Sequence, residues 1–389
     1  MAGGKTDSGP ERFAATRRVL AAGVAEGVFP GAVLWVAERG AVVWRQAAGS
    51  LFRADAGHPP APAVHPGTRY DLASITKAMS TASCFMRLMD QGRLDPADPV
   101  SRLLPELAWA TADVTLFHLL THSSGLPAWK PFYEMACGAD GAGLAPGTPA
   151  CRDWIVRRIM AEPPERPAGE KSVYSDPGFI LLGVALERAT GTPLEELFRR
   201  LVAEPLGLAD TAYNPGNQAR RLEGHDVAPT ARRDWRGGVI RGAVDDDNAF
   251  AMGGVSGHAG LFGTAGDVGR WGLALVDAWH GRSTWTTQAV ARRCLTRNTV
   301  VPGSSWALGF DTPYPPPTTA GPHFGRTSAG HLGFTGTSVW VDLEREWVVV
   351  LLSNRVHPDP ENSGIKRFRP RLHAAVGAAL LGLPPVPEE

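Results

Sequence analysis

Strand-forming runs stand near both ends of this 389-residue chain, and the stretch between them is mostly helical or irregular. Gly31 to Val36 and Ala41 to Arg45 are β-rich and flank Arg39-Gly40, the pattern of a hairpin. Gly333 to Val341 and Trp347 to Leu352 repeat it around the polar turn Asp342 to Glu346. A sheet must bury a face against other elements. The pattern therefore predicts one antiparallel sheet built from both chain ends, with helices on its faces and a helical insert to one side. The class is α/β (α+β). The expected layout is one domain over 13–383, with its sheet-bearing part about 13–70 and 260–383 and a mainly helical insert about 75–255. Disordered tails are expected over 1–12 and 384–389.

Helical spacing covers 13–27, ending at Gly27, and returns at Trp154 to Met160, Phe179 to Ala189, Pro193 to Val202, about Asp267 to Trp279, and His373 to Leu381. Thr115 reads as the N-cap of a short helix, Leu116 to His122. The loops are Ala54 to Gly67, Pro127 to Ala150 and the charged, irregular segment 215–250. There is no internal repeat.

Acidic and basic residues balance to a net charge of zero, which argues against nucleic acid or an acidic membrane surface as the main partner. No apolar run approaches the roughly 20 residues of a membrane-spanning helix. Met1 to Arg12 is polar, and Arg17, Arg18 and Glu26 interrupt the next apolar stretch, so no signal peptide is read. The expectation is a cytoplasmic protein with reduced thiols, or a periplasmic one if translation starts elsewhere. Cys84, Cys137, Cys151 and Cys294 lack metal-ligand spacing, and Cys137 and Cys151 can pair only in an oxidising compartment.

The stretch Asp71-Leu72-Ala73-Ser74-Ile75-Thr76-Lys77 precedes an apolar helix that stops at Gly92. Lys77 lies one turn after Ser74, on the same face. A serine hydroxyl needs a base to become a nucleophile, and an amine in hydrogen-bond reach can serve if its pKa is lowered. The chain has few lysines (Lys5, Lys77, Lys130, Lys171 and Lys366), so this placement stands out. Tyr174-Ser175-Asp176 offers a phenol that can shuttle a proton, or else a buried aromatic followed by a helix cap. His331-Leu332-Gly333-Phe334, at the expected start of a strand, offers main-chain N–H groups for an oxyanion and a histidine to orient a substrate. The alternative there is a glycine-rich strand entry with a surface histidine.

Three other signals read as structural. His118 and His122 stand four apart, but Leu119 occupies the place where a zinc protease carries glutamate. Ser363 and Lys366 repeat the Ser-x-x-Lys spacing without a buried helix. Gly253 to Gly260 reads as a tight loop that can wall a pocket.

In chain order, Ser74-Ile75-Thr76-Lys77, Thr115 to Pro127, Tyr174-Ser175-Asp176, Glu204 to Leu208, Gly257 to Phe262 and His331-Leu332-Gly333 resemble the serine β-lactamase and penicillin-binding-protein superfamily. Within it the likeness is to the class C β-lactamase-like branch, with its family VIII esterases, DD-carboxypeptidases and D-aminopeptidases, and it extends from about Phe29 to Ala379. The resemblance implies an acylated Ser74, with Lys77 as its base and Tyr174 as a second acid/base. It implies an oxyanion hole from the N–H groups of Ser74 and Phe334, substrate contacts from Asp176, His331 and Gly333, and no cofactor or metal. Asp176 stands where asparagine is usual and His331 where lysine is common. Both changes shift the expectation from lactams towards small esters, or amides and peptides of D-amino acids. A DD-carboxypeptidase or weak β-lactamase is the alternative. A catalytically inactive binding protein is the non-enzyme alternative, and retention of Ser74, Lys77 and Tyr174 argues against it. The expected partner is a small-molecule ester, amide or peptide substrate, with no nucleic acid and no membrane span. Oligomeric state has no sequence signal.

Overall fold

Val33, Trp35 and Ala37 face one side of the first strand and Ala32, Leu34 and Val36 the other, and both sides are buried. A strand apolar on both faces needs cover on both, and this sets the layering. The structure is a computed structural model describing residues 9–53, 61–107, 109, 113–218 and 226–384. Strands β1 (Gly31–Glu38), β2 (Ala41–Gly49), β3 (Ser328–Leu332), β4 (Ser338–Asp342) and β5 (Trp347–Ser353) form one antiparallel sheet in the order β2-β1-β5-β4-β3. The chain ends meet at the centre, where β1 pairs with β5 from Ala32 opposite Ser353 to Glu38 opposite Trp347. Between β1 and β2, Arg39 and Gly40 have φ of 50° and 79°, the doubly left-handed turn that matches strand twist.

The helices that position the site are α1 (Ala14–Ala25), α2 (Ser83–Asp90), α3 (Asp176–Thr190), α4 (Ala265–Trp279) and α5 (Ile365–Leu381). α1 and α5 cover one sheet face, burying Leu20, Phe29, Leu34, Trp340, Phe368 and Leu372 together. α4 covers the other by close approach of Gly269 to Trp35 and of Gly272 to Val348 and Val341, while Trp271 donates to Ser83 Oγ at 3.0 Å and carries this core into the helical insert around α2 and α3. A small sheet of Tyr70–Asp71, Leu261–Gly263 and Ala212–Tyr213 stitches the insert to the chain just before Ser74.

Four expectations need correction. His331 lies near the end of an edge strand, β3, and Gly333 to Thr337 is the turn into β4 rather than part of a strand; Gly336, at φ 107°, breaks the extended run. The helix from Thr115 stops at Leu120, and His122 has a left-handed φ of 55°, so His118 and His122 share no helix face. α5 begins at Ile365, two turns before His373; its arginine-rich start and Pro370 disguise it, yet Ile365, Phe368 and Arg369 face inward. Gly9–Arg12 is a helical turn where a disordered tail was expected, and Arg12 donates to the carbonyls of Ala379 and Leu380, closing the end of α5. The remaining tail residues, 1–8 and 385–389, and residues 54–60 of the expected loop lie outside the described residues. Cys137 and Cys151 are free thiols with sulfurs 3.3 Å apart. No described helix is long and apolar enough to cross a membrane.

Candidate active site

The turn that presents Ser74 is built on Asp71. Its buried carboxylate accepts the N–H of Ala73 (2.8 Å) and of Asp245 (2.6 Å). Burial, reinforced by Asp245, pushes its pKa up to about 7 against those two donors. Ala73 is held at φ 47°, a left-handed conformation that costs an alanine energy, and strain of this kind collects at functional turns. The chain then enters a helix whose first part, Lys77–Ala82, is π-helical and runs directly into α2. Gly92, at φ 67°, ends it as the sequence predicts.

Lys77 is wholly buried. Its ammonium donates to Ser74 Oγ at 3.0 Å and to the His258 carbonyl at 3.2 Å, and pairs with Asp176 Oδ1 at 2.6 Å. Burial alone would drag its pKa down, but Asp176 and Tyr174 outweigh burial and hold it above the ordinary lysine value. Asp176 is the first residue of α3, capped by Ser175, so the helix's positive end also faces the carboxylate. Tyr174 opens to the cleft (37% exposed), with its ring centroid 4.7 Å from the Lys77 ammonium and its hydroxyl within electrostatic reach of Lys77 and Ser74. Burial raises its pKa although Lys77 pulls the other way. Tyr174 stands in an aromatic bed of His122, at 4.6 Å between ring centroids, and Trp306, at 5.7 Å. His122 accepts the Ser175 N–H, which fixes the start of α3.

The turn after β3 closes the other side. Thr335 and Thr337 donate to the carbonyls of Asp71 and Leu72, tying it to the Ser74 turn. A Cβ on Gly333 would sit 2.7 Å from the Leu72 carbonyl oxygen and 2.0 Å from Thr337 Oγ1, so only glycine fits. Buried Arg369 of α5 donates to the carbonyls of Gly333 (2.6 Å) and Thr337 (2.7 Å), and Arg355 to that of Phe334 (2.7 Å). With the turn clamped by its carbonyls, the N–H groups of Phe334 and Ser74 have no protein acceptor among the described residues. His331 is buried; its Nδ1–H donates to the Leu332 carbonyl at 2.8 Å, which leaves Nε2 as a bare acceptor. Burial, with Lys77 nearby, presses its pKa down to about 3, so it is neutral at physiological pH.

The cleft has two lobes that share Ser74, Tyr174 and Phe334. One, of about 570 Å³, is walled by His331, Trp306, Arg355, Lys366 and Arg369. The other, of about 380 Å³, is walled by Trp129, Asp176, Arg233, Asp245, Asp246 and Asp247. The structure thus brings together all the sequence-predicted residues: Ser74, Lys77, Tyr174, Asp176, His331, Gly333 and Phe334. The second Ser-x-x-Lys is here too, but Ser363 and Lys366 are exposed on the wall and lack the buried setting of Lys77. Asp176, Asp246 and His258 bring ligand atoms within 4.8 Å of one another, the spacing of a metal site, but the cation already on Asp176 is Lys77. Sequence reasoning missed Trp306, Arg355, Arg369 and the aspartate run, and held His258 only as part of a loop walling the pocket. Only Asp245-Asp246-Asp247 carried a signal, three like charges in a row.

The beta-lactamase family model matches residues 16–372. The chain belongs to the beta-lactamase family. It is 30% identical over 364 residues to an Escherichia coli protein named "Putative D-alanyl-D-alanine carboxypeptidase", covering 86% of this chain and 81% of that one. It is 31% identical over 365 residues to an N-acetylmuramyl-L-alanine amidase of Bacillus subtilis, covering 86% and 80%. Among solved structures, a penicillin-binding protein homologue from Caulobacter crescentus superposes with a TM-score of 0.69 at 26% identity, covering 95% of this chain and 98% of that one. EstCE1, a hydrolase with promiscuous acyltransferase activity, shares the fold with a TM-score of 0.72 at 23% identity, covering 94% and 99%. This beta-lactamase family member is a serine hydrolase with the mixed α/β fold of its relatives.

Proposed function

We propose that the protein hydrolyses amides of small amino acids, D-amino acids foremost, and small esters, through an acyl-enzyme on Ser74. The observation that carries this is the contact of Ser74 Oγ with the buried Lys77 ammonium at 3.0 Å, with Tyr174 beside the pair, its ring centroid 4.7 Å from that ammonium. Lys77, once neutral, takes the Ser74 proton as Oγ attacks the carbonyl. The N–H groups of Ser74 and Phe334 receive the oxyanion. Tyr174 passes a proton to the leaving amine or alcohol, then helps a water attack the acyl-enzyme. Neutral His331 supports amides and esters over lactams, because it lacks the charge that holds a lactam carboxylate.

A DD-carboxypeptidase is the second reading, favoured by Arg355 and Lys366 on the wall of the larger lobe, where a free C-terminal carboxylate can rest. Intact mass after a fluorophosphonate tests the core claim: one adduct is expected on wild type and none on Ser74→Ala. Equal labelling of both proteins refutes it. Rates on a D-alanine anilide, nitrophenyl butyrate, a D-alanyl-D-alanine peptide and a chromogenic cephalosporin then rank the substrate classes, with the cephalosporin expected last.

A further inference from the structure

The smaller lobe is more acidic than its structural duties require. Four aspartates face it or border it: Asp176, Asp245, Asp246 and Asp247. Asp247 takes both nearby arginines, Arg233 at 3.4 Å and Arg236 at 3.2 Å. Asp246 contacts His258 at 2.9 Å and caps a short helix through the Ala249 N–H. Asp245 is only 3% exposed. Its Oδ1 accepts the Ala231 N–H, but its Oδ2 has no hydrogen-bond donor among the described residues, and its nearest cation is Arg233 at 3.9 Å. Two large aromatic side chains, Trp129 (49% exposed) and Phe334 (53% exposed), form the open walls. Arg355 already lies over the Phe334 ring, 4.3 Å from its centroid, so Trp129 is the ring left for a cation, and carboxylates beside such a ring are the surroundings that hold an organic ammonium.

We propose that this lobe binds a protonated amine on the acyl side of the substrate, and that the bound amine releases the proton that Asp176 otherwise keeps on Lys77. The proposal rests on the reading of Ser74 as nucleophile. At rest Lys77 is faced by Asp176, Tyr174 and Ser74, by His258 and Asp246 from the glycine-rich side, by His122 below and by His331 from β3. Of these, Asp176 favours its charge most, Asp246 and Tyr174 favour it too, and the histidines do not. An ammonium beside Asp176 and Asp246 gives those carboxylates another cation, and one proton passes from Lys77 to solvent. The charge in the lobe is unchanged, and Lys77 is left neutral. It can then take the Ser74 proton as the Oγ–carbon bond forms. A volume of about 380 Å³ suits a small aminoacyl group rather than a bulky one.

The test compares D-alanine p-nitroanilide with its N-acetyl derivative, which differ in one charge. Wild type is expected to favour the free amine by roughly tenfold or more in kcat/KM. Asp246→Asn should bring that ratio towards one, and Asp247→Asn serves as the second variant should the first not fold. On Ser74→Ala, calorimetry with D-alaninamide in two buffers of different ionisation heat should show about one proton released per amine bound, and N-acetyl-D-alaninamide should release none. A wild-type ratio of one or below, with Ser74→Ala inactive on both anilides, overturns the cation site and leaves the nucleophile standing. Full activity of Ser74→Ala sinks the nucleophile instead. If neither anilide is cleaved, calorimetry decides, and equal affinity for the two amides overturns the proposal.

Discussion

Changing His331 to asparagine should make the fold more tolerant of acid, by an amount that the structure sets. His331 has its Nδ1–H bonded to the Leu332 carbonyl and no room for a charge, so its folded pKa is about 3 against 6.5 for an ordinary histidine. The folded value lies below the unfolded one, so the unfolded chain binds this proton first. The contribution to stability is complete above pH 6.5 and drains away as pH falls towards 3. At about 1.36 kcal/mol per pH unit, the loss from His331 alone is ~2 kcal/mol at pH 5 and ~3 kcal/mol at pH 4. The whole protein's pH curve does not isolate this. Asp71, held up to about 7, and Asp311, held up to about 6, titrate in the opposite sense and gain stability over much of the same range. The comparison between two proteins does isolate it, because those carboxylates are common to both. Urea unfolding of wild type and His331→Asn at pH 8 and pH 5 should show wild type losing ~2 kcal/mol more than the variant between the two. Parallel losses would refute the neutral, buried histidine, and with it the argument that this position cannot hold a substrate carboxylate by charge.

Three further outcomes follow from the same geometry. Asp176→Asn removes the anion that keeps Lys77 charged, so the acid limb of kcat/KM should move to lower pH and turnover of a chromogenic cephalosporin should rise; a shift to higher pH would contradict the pairing. Gly333→Ala forces a Cβ against the Leu72 carbonyl oxygen, at 2.7 Å; moving the oxyanion turn by even part of an ångström should cost about 10²-fold in kcat, read at saturating substrate. Arg369→Met strips the clamp from the Gly333 and Thr337 carbonyls, and the loss of two charge-assisted bonds should lower stability by ~3–5 kcal/mol in urea unfolding.

The sheet was legible because its strands are simple. The β1–β2 and β4–β5 hairpins are short in sequence, and the two chain ends had only to share one sheet, whereas β3 (Ser328–Leu332) and its turn into β4 were not read. The Ser74–Lys77 contact was legible for a related reason: the two residues sit one turn apart, so local geometry brings them together. What the sequence hid is carried by tertiary approach. Arg369 looked like one of several arginines after a polar loop, and only the packing of α5 on the sheet turns it onto Gly333. Trp306 and His122 meet Tyr174 from segments far apart in the chain. His258 reaches Lys77 through its carbonyl, a group every residue has, so no residue type could announce it.

Asp176 links the charge on Lys77 to the acidic lobe. An asparagine at the start of α3 would leave Lys77 to burial and to Tyr174, and burial favours the neutral amine. The aspartate at 2.6 Å reverses that balance and keeps a proton on Lys77, the base of the proposed mechanism. Such a site is a poor general-purpose nucleophile, since every turnover begins with removal of that proton. It becomes a selective one if the substrate itself brings the charge that makes the proton dispensable. The neighbouring aspartates at 245, 246 and 247 matter in the same way, because they extend the attraction for a cation beyond the reach of Lys77. On this account the aspartate at 176 and the acidic run about seventy residues later are one device. The chemistry they predict is a double dependence: removing Asp176 should raise activity on neutral substrates while removing the preference for amines. A variant that gained on neutral substrates yet kept its amine preference would separate the two and show that the acidic run works alone.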